Sequence, residues 1–147
     1  MLFRSVVDLD GTLYNSSQRN HLAQAGQWDE FHKASANDDP YNDVLNLINQ
    51  MSEMHNIIGC TGRTNAHRQI TFDWLMDHGV SMDHLLMRPD NNFESDTIIK
   101  PKLLEECLEK NKLSKESVLF ILEDRDKMVE CWRDLGYNCW QVRPGGY

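Results

Sequence analysis

In the run Val6-Val7-Asp8-Leu9-Asp10-Gly11-Thr12 a hydrophobic strand breaks into a glycine turn with two carboxylates beside the break. Residues i and i+2 of an extended strand project from one face, so Asp8 and Asp10 aim one way while Leu9 packs on the other. Two like charges in one small space are unfavourable unless a cation neutralises them or one takes a proton, and a Mg²⁺ ion with a phosphate ligand would supply the first. An ordinary strand end followed by an Asp-Gly turn is the plainer reading of the same residues.

The remaining pattern constrains the fold further. Strand signals fall at 3–8, 56–61, 84–88, 118–122 and 138–142, with helical periodicity at 41–54, 65–78, 102–111 and 126–135. Repeated strand–helix units with right-handed crossovers predict an α/β fold with a three-layer, Rossmann-like parallel sheet. Ligands bind outside the carboxyl ends of such strands, where Asp8, Thr61 and Asp124 all fall. Val44, Leu45, Leu47, Ile48 and Met51 fit one helical core face, and Ile70, Trp74 and Leu75 another. Gly79 and Gly136 read as helix C-terminal caps. Trp74, Trp132 and Trp140 are expected in the core. The stretch 14–40 is too short for a domain-sized cap and reads as a small flap insert. Within it, Trp28 and Phe31 suit a short amphipathic helix that packs on the core, with stacking of Trp28 or Tyr14 on a terminal base as the alternative. The 147 residues are thus expected to form one domain, 1–147.

Further chemistry-bearing residues follow in order. A hydroxyl closes the buried strand Ile57-Ile58-Gly59-Cys60-Thr61 and leads into Gly62-Arg63; a lysine ends Asp96-Thr97-Ile98-Ile99-Lys100; an acidic pair closes Val118-Leu119-Phe120-Ile121-Leu122-Glu123-Asp124. In this order they resemble the four motifs of the haloacid dehalogenase superfamily of phosphotransferases. A narrower resemblance, from Leu2 to Tyr147, is to the 3′-phosphatase domain of bacteriophage-type polynucleotide kinase/phosphatases. Its carriers are Asp124-Arg125 with Val129, Trp132-Arg133, Gly136 and Cys139-Trp140-Gln141-Val142, together with Arg19, Thr61-Gly62-Arg63, and Asp96 ahead of Lys100. Glu123 stands where those relatives have an aspartate, and the loop 14–40 has its own length and sequence.

The resemblance implies a haloacid dehalogenase fold and a reaction. Asp8 would be the nucleophile that forms an aspartyl-phosphate, and Asp10 the general acid and then base, which requires a raised pKa. Mg²⁺ would be held by Asp8, the Asp10 backbone carbonyl and Asp124. Thr61 would donate to a phosphate oxygen and Lys100 would balance the charge of Asp8; the plain alternatives are a strand-end hydroxyl and a solvated lysine before Pro101. Arg63 could grip phosphate with paired donors, Arg19 joins it by resemblance, and Arg68 is an even choice. Asp96 is read as orienting Lys100 or Arg19, against a helix N-cap. Because neighbours on a strand point opposite ways, only one of the acidic pair should face the metal. Asp124 is chosen, leaving Glu123 to a metal water or an arginine. Asp126 is expected to be the N-cap of the last helix.

The net charge of −8 argues against binding nucleic acid through a broad basic surface. It still permits a local pocket, for which Arg19, Arg63, Arg68, Arg88, Lys100 and Lys102 are candidates, with modest, strongly salt-dependent binding. The leading expectation is a Mg²⁺-dependent phosphatase removing 3′-phosphate from DNA or RNA ends, with 2′,3′-cyclic phosphate implied by resemblance only. A phosphatase of free nucleotides or other small phosphomonoesters is the alternative, and a non-catalytic binding module a third. No GxxxxGK[ST] loop occurs, so a kinase or ligase would be a separate partner. Without a signal-peptide core or a membrane-length apolar run, an intracellular, cytoplasmic protein of phage or bacterial type is expected. Cys60, Cys107, Cys131 and Cys139 suit reduced core thiols, and the six histidines lack zinc-ligand spacing.

Overall fold

The computed structural model describes residues 2–147. Five strands form one parallel sheet: β1 (Arg4–Val7), β2 (Asn56–Thr64), β3 (His84–Arg88), β4 (Val118–Glu123) and β5 (Cys139–Gln141), in the order β3-β2-β1-β4-β5. The central strands are buried almost residue after residue, as a parallel sheet covered on both faces requires. Alternate side chains sort into two cores. Val6, Ile58 and Ile121 pack with Leu104 and Leu108 of helix Asp96–Lys110 and with Met128 and Trp132 of helix Asp126–Asp134. Val7, Ile57 and Leu122 pack with Val44 and Ile48 of helix Asn42–Ser52 and with Trp74 and Leu75 of helix Arg68–Asp77.

In chain order the helices are α1 (Asn20–Gln24), α2 (Trp28–Ala34), α3 (Asn42–Ser52), α4 (Arg68–Asp77), α5 (Asp96–Lys110) and α6 (Asp126–Asp134). No large cap is present among the described residues. The insert consists of α1 and α2 flanked by 3-10 turns at Ser17–Arg19 and Ser35–Asn37. Tyr14 forms isolated bridges with Asp10 and Pro40, which closes the insert at its base. Its ring is fully buried and stacked on Trp74 at 3.7 Å, so the base-stacking alternative fails for Tyr14. Phe31 anchors α2 in the core, whereas Trp28 is exposed.

Boundaries differ from expectation for identifiable reasons. α5 begins at Asp96, not beyond Pro101; the amide that proline lacks would have bonded the Thr97 carbonyl, which instead accepts from the Cys131 thiol at 3.5 Å. β2 runs on to Thr64 through an irregularity after Thr61. The 3-10 turn Asn65–His67 precedes α4. At α6, Arg125 is the N-cap and Asp126 the first helical residue. Gly79 and Gly136 do cap α4 and α6: both have positive φ, and Val80→Leu75 and Tyr137→Trp132 amide bonds of 2.8 and 3.1 Å complete Schellman motifs. Trp140 is a correction: on the edge strand β5 it is 52% exposed, with one face stacked on Phe120. No helix among the described residues is long and apolar enough to cross a membrane.

Candidate active site

Asp8 leaves the end of β1 with its amide bonded to the Leu122 carbonyl of β4 at 3.0 Å, which sets its side chain beside that strand's acidic end. The chain then winds around Leu9, whose carbonyl accepts from the amides of Thr12, Leu13 and Tyr14. Gly11 makes this turn possible, with φ +84° and no room for a Cβ against the Asp124 carboxylate. Thr12 is thereby turned inward and its hydroxyl faces Asp8 Oδ2 at 2.9 Å and Asp124 Oδ1 at 3.3 Å.

Lys100, in the early turns of α5, is buried against the same group. Its Nζ donates to Asp8 Oδ1 at 2.6 Å and to Glu123 Oε2 at 3.1 Å. Burial works against its charge, but Asp8 and Glu123 outweigh that and hold its pKa well above the usual lysine range. Oxygens of Asp8, Glu123 and Asp124 lie within 4.8 Å of one another. Both members of the acidic pair therefore turn toward Asp8, contrary to expectation, because β4 ends at Glu123 and strand alternation does not extend to Asp124. Glu123 is bonded by Lys100 and by Trp132 Nε1 at 3.3 Å, not by an arginine, and its Oε1 is buried without a partner. Burial and then the charge of Asp8 raise the Asp124 carboxyl to about 7.

Asp10 lies under two guanidinium groups. Arg63 donates from Nε to Oδ2 at 3.1 Å and from Nη2 to Oδ1 at 2.6 Å, and Arg19 Nη2 also donates to Oδ1. Burial alone would push this carboxyl up, but the charges and hydrogen bonds of Arg63 and Arg19 pull it well below the ordinary carboxylate range. This is the reverse of the raised pKa expected of Asp10. Arg63 stands on the irregular end of β2, where its own amide donates to Thr61 Oγ1 at 3.2 Å. It is fixed by Thr71 Oγ1 at 2.8 Å and by the Tyr14 ring 4.2 Å beneath. Arg19 donates from Nε and Nη2 to Asp38 Oδ2, at 2.9 and 2.7 Å respectively, and lies over the Phe31 ring at 4.2 Å.

Other expected residues go elsewhere. Asp96 contacts neither Lys100 nor Arg19; it accepts from Arg88 Nη2 at 2.5 Å and Arg125 Nη1 at 2.9 Å, with Ser95 as the N-cap. Gly62 allows this, since a Cβ there would overlap the Asp96 carboxylate. Arg88 also donates to the Gly62 carbonyl at 2.8 Å, so it brackets three elements and is not a free pocket cation. Exposed Arg68 bonds Asn65, and exposed Lys102 pairs with Glu94. Of the expected cations, Arg19 and Arg63 meet at Asp10, and Lys100 lies on Asp8 and Glu123. Sequence reasoning missed Asp38, Trp132 as a Glu123 donor, and Tyr147, whose hydroxyl donates to Asp124 Oδ2. Thr12, visible in the opening run, had no role assigned.

The arrangement offers a buried carboxylate held by an ammonium and a hydroxyl, next to a second carboxylate under two guanidinium groups, with an acidic triad alongside. The model of the polynucleotide kinase PNKP phosphatase domain family matches residues 4–147. Among solved structures, a chain of a Pnkp1/Rnl/Hen1 complex is similar with TM-score 0.83 and 30% identity over 99% of this chain and 47% of that one. A chain of a Pnkp1/Rnl/Hen1 RNA repair complex gives 0.76 and 28%, over 99% and 44%. The present chain thus spans about half the length of these two relatives. A haloacid dehalogenase-like hydrolase from Streptococcus pneumoniae shares the fold, with TM-score 0.68 and 12% identity over 99% and 94%.

Proposed function

Since the chain belongs to the family of the polynucleotide kinase PNKP phosphatase domain, and so is a phosphomonoester hydrolase of haloacid dehalogenase fold, we propose that it removes 3′-phosphate from DNA or RNA ends with Mg²⁺ as cofactor. The observation that carries this reading is the convergence of Asp8, Lys100, Asp10 and Arg63 on one site, within a chain matched by that family model over 4–147. Residues 1–147 are taken to act as one domain.

A divalent cation fits the acidic triad. Three carboxylates face one ammonium there, Glu123 Oε1 lacks a partner, and burial, followed by the charge of Asp8, pushes the Asp124 carboxyl up. Asp8, Asp124 and the Asp10 backbone carbonyl would hold Mg²⁺, which when bound supplies charge neutralisation that lets an anionic nucleophile meet an anionic phosphate. Asp8 attacks phosphorus and becomes phosphorylated while the bond to the ribose oxygen breaks. Lys100 fixes the attacking carboxylate and offsets its charge, and the Thr61 hydroxyl donates to a non-bridging oxygen. Asp10, once it has taken up a proton from solvent as substrate binds, gives that proton to the leaving oxygen. The incoming phosphate shares the donors of Arg63 and Arg19 and adds negative charge beside Asp10, so the clamp that keeps it ionised in the free protein weakens when substrate is bound. Asp10, left ionised, then takes a proton from the water that hydrolyses the aspartyl-phosphate. Glu123 anchors Lys100, and Asp96 supports the site by tying Arg88 and Arg125 to the start of α5.

The relatives in Pnkp1/Rnl/Hen1 complexes suggest that this domain works beside other end-processing enzymes, a kinase or a ligase among them. The test is phosphate release, with Mg²⁺ and with EDTA, from a 3′-phosphorylated oligonucleotide, its 5′-phosphorylated isomer and a 3′-mononucleotide. Metal-dependent preference for the 3′-phosphorylated oligonucleotide is expected. Equal or better turnover of the mononucleotide would replace this reading with a small-substrate phosphatase.

A further inference from the structure

Between the start of the insert and the segment after β5 lies a cleft of about 180 Å³, lined by Ser16, Asn20, Tyr41, Arg143 and Tyr147 and bordered by Asp124. Its wall is attached to the acidic triad. Gly145 packs so closely on the Asp124 carbonyl that a Cβ would overlap it, its own carbonyl accepts from the Asp126 amide at 2.8 Å, and the Tyr147 hydroxyl donates to Asp124 Oδ2. Arg143 is held in place without being saturated. Its guanidinium lies over the Tyr41 ring at 3.7 Å and one nitrogen pairs with exposed Asp43 at 2.7 Å, but Nη1 is buried with no acceptor. Arg143 thus keeps unused donor capacity, and with 28% of its side chain exposed it presents a guanidinium edge to the cleft.

We infer that this cleft is a second substrate subsite, taking the phosphodiester that follows the terminal nucleotide, with the exposed edge of the Arg143 guanidinium donating to a non-bridging oxygen. The inference rests on the 3′-end reading above: the cleft borders Asp124, whose carboxylate lies beside that of Asp8, so it adjoins the place where the terminal phosphate would sit. The neighbouring carboxylates Asp43 and Asp124 disfavour any anion not tethered to that phosphate. Arg143 is therefore a specificity-determining residue that separates polymer ends from mononucleotides.

The experiment compares the wild type with Arg143→Ala, Arg143→Lys and Asp43→Ala on a 3′-phosphorylated oligonucleotide and a 3′-mononucleotide. Binding of the same oligonucleotide to the Asp8→Asn protein is followed against salt. Arg143→Ala should raise KM for the oligonucleotide about tenfold more than for the mononucleotide, the loss of one charge-assisted hydrogen bond. It should also flatten the slope of log Kd against log salt by about 0.7, one single-strand phosphate contact, whereas Arg143→Lys keeps the slope. Asp43→Ala, which loosens Arg143 without removing it, should change the oligonucleotide KM by no more than about twofold. Equal effects of Arg143→Ala on both substrates, or reproduction of its effect by Asp43→Ala, would overturn the subsite and leave the 3′-end reading standing. A wild type that releases phosphate from neither 3′ substrate but cleaves other monoesters would remove that reading, and the subsite with it.

Discussion

Lys100 is the residue on which the charge balance of the site turns, since its ammonium alone among the described residues bonds both Asp8 and Glu123. Replacing it by methionine keeps volume but leaves three converging carboxylates without their cation. Breaking a buried pair in this way costs about 3–5 kcal/mol. Lys100→Met should accordingly unfold at much lower urea concentration than the wild type at pH 8 in EDTA, and the gap should narrow at pH 5, where Glu123 and Asp124, both raised by burial first, take protons. A variant equally stable at pH 8 would mean that the triad is neutralised by some other route. Which residues could be read in advance follows from the same geometry. Asp8, Thr61 and Asp124 each follow an apolar strand run, so local sequence marks them, whereas Lys100 is marked only by its resemblance to the family's Asp-x-x-x-Lys. Asp38 and Arg125 lie 19 and 29 residues from the partners Arg19 and Asp96, and no periodic pattern announces pairings that only the folded insert and sheet edge create.

At the level of elements, the glycine turn after β1 and the flap helix α2 carry the next consequences. Gly11→Ala places a Cβ in the space of the Asp124 carboxylate, at a φ of +84° that side-chain-bearing residues avoid. Strain of this kind costs about 1–3 kcal/mol, and here it also displaces an expected metal ligand. The variant should lose stability by that amount in urea and lose metal-dependent phosphate release far beyond it; retention of full activity would show that the turn tolerates relaxation. On α2, burial lowers His32 to about 4, against a small opposing pull from Asp10. Its folded pKa lies below the unfolded value of about 6.5, so between those values the unfolded chain binds more protons. The contribution of neutral His32 is intact above pH 6.5 and is lost as pH falls toward 4. His32→Gln should therefore gain on the wild type in melting temperature as pH is lowered from 7 to 4.5, and parallel curves would refute this account. Strands were easier to read than helix ends. Parallel strands buried on both faces are continuous apolar runs, whereas α5 hides its start behind Pro101, whose missing amide is compensated by Cys131 from another helix.

Across the whole molecule, acidic charge sets how the proposed substrate, a nucleic-acid end, would be held. The net charge is −8, and the arginines and lysines that might have formed a basic track are already committed: Arg88 to Gly62 and Asp96, Arg68 to Asn65, Lys102 to Glu94. Arg19 and Arg63 both donate to Asp10, so on the proposed reading they would meet the reacting phosphate only by sharing those donors. On the proposed 3′-end reading, recognition would therefore be confined to the terminal phosphate and its immediate neighbour, and each single-strand phosphate contact contributes about −0.7 to the slope of log affinity against log salt. Two such contacts give a slope near −1.4, much shallower than that of proteins that track many phosphates, so the strong salt dependence expected from the sequence does not follow once those cations are found bonded. An oligonucleotide without a 3′-phosphate, having only the second contact, should compete poorly even in excess. Titrating the Asp8→Asn protein with labelled 3′-phosphorylated and 3′-hydroxyl strands over a range of salt concentrations measures both quantities. A slope steeper than about −3, or comparable affinity for the two strands, would require a basic surface track in addition to the site.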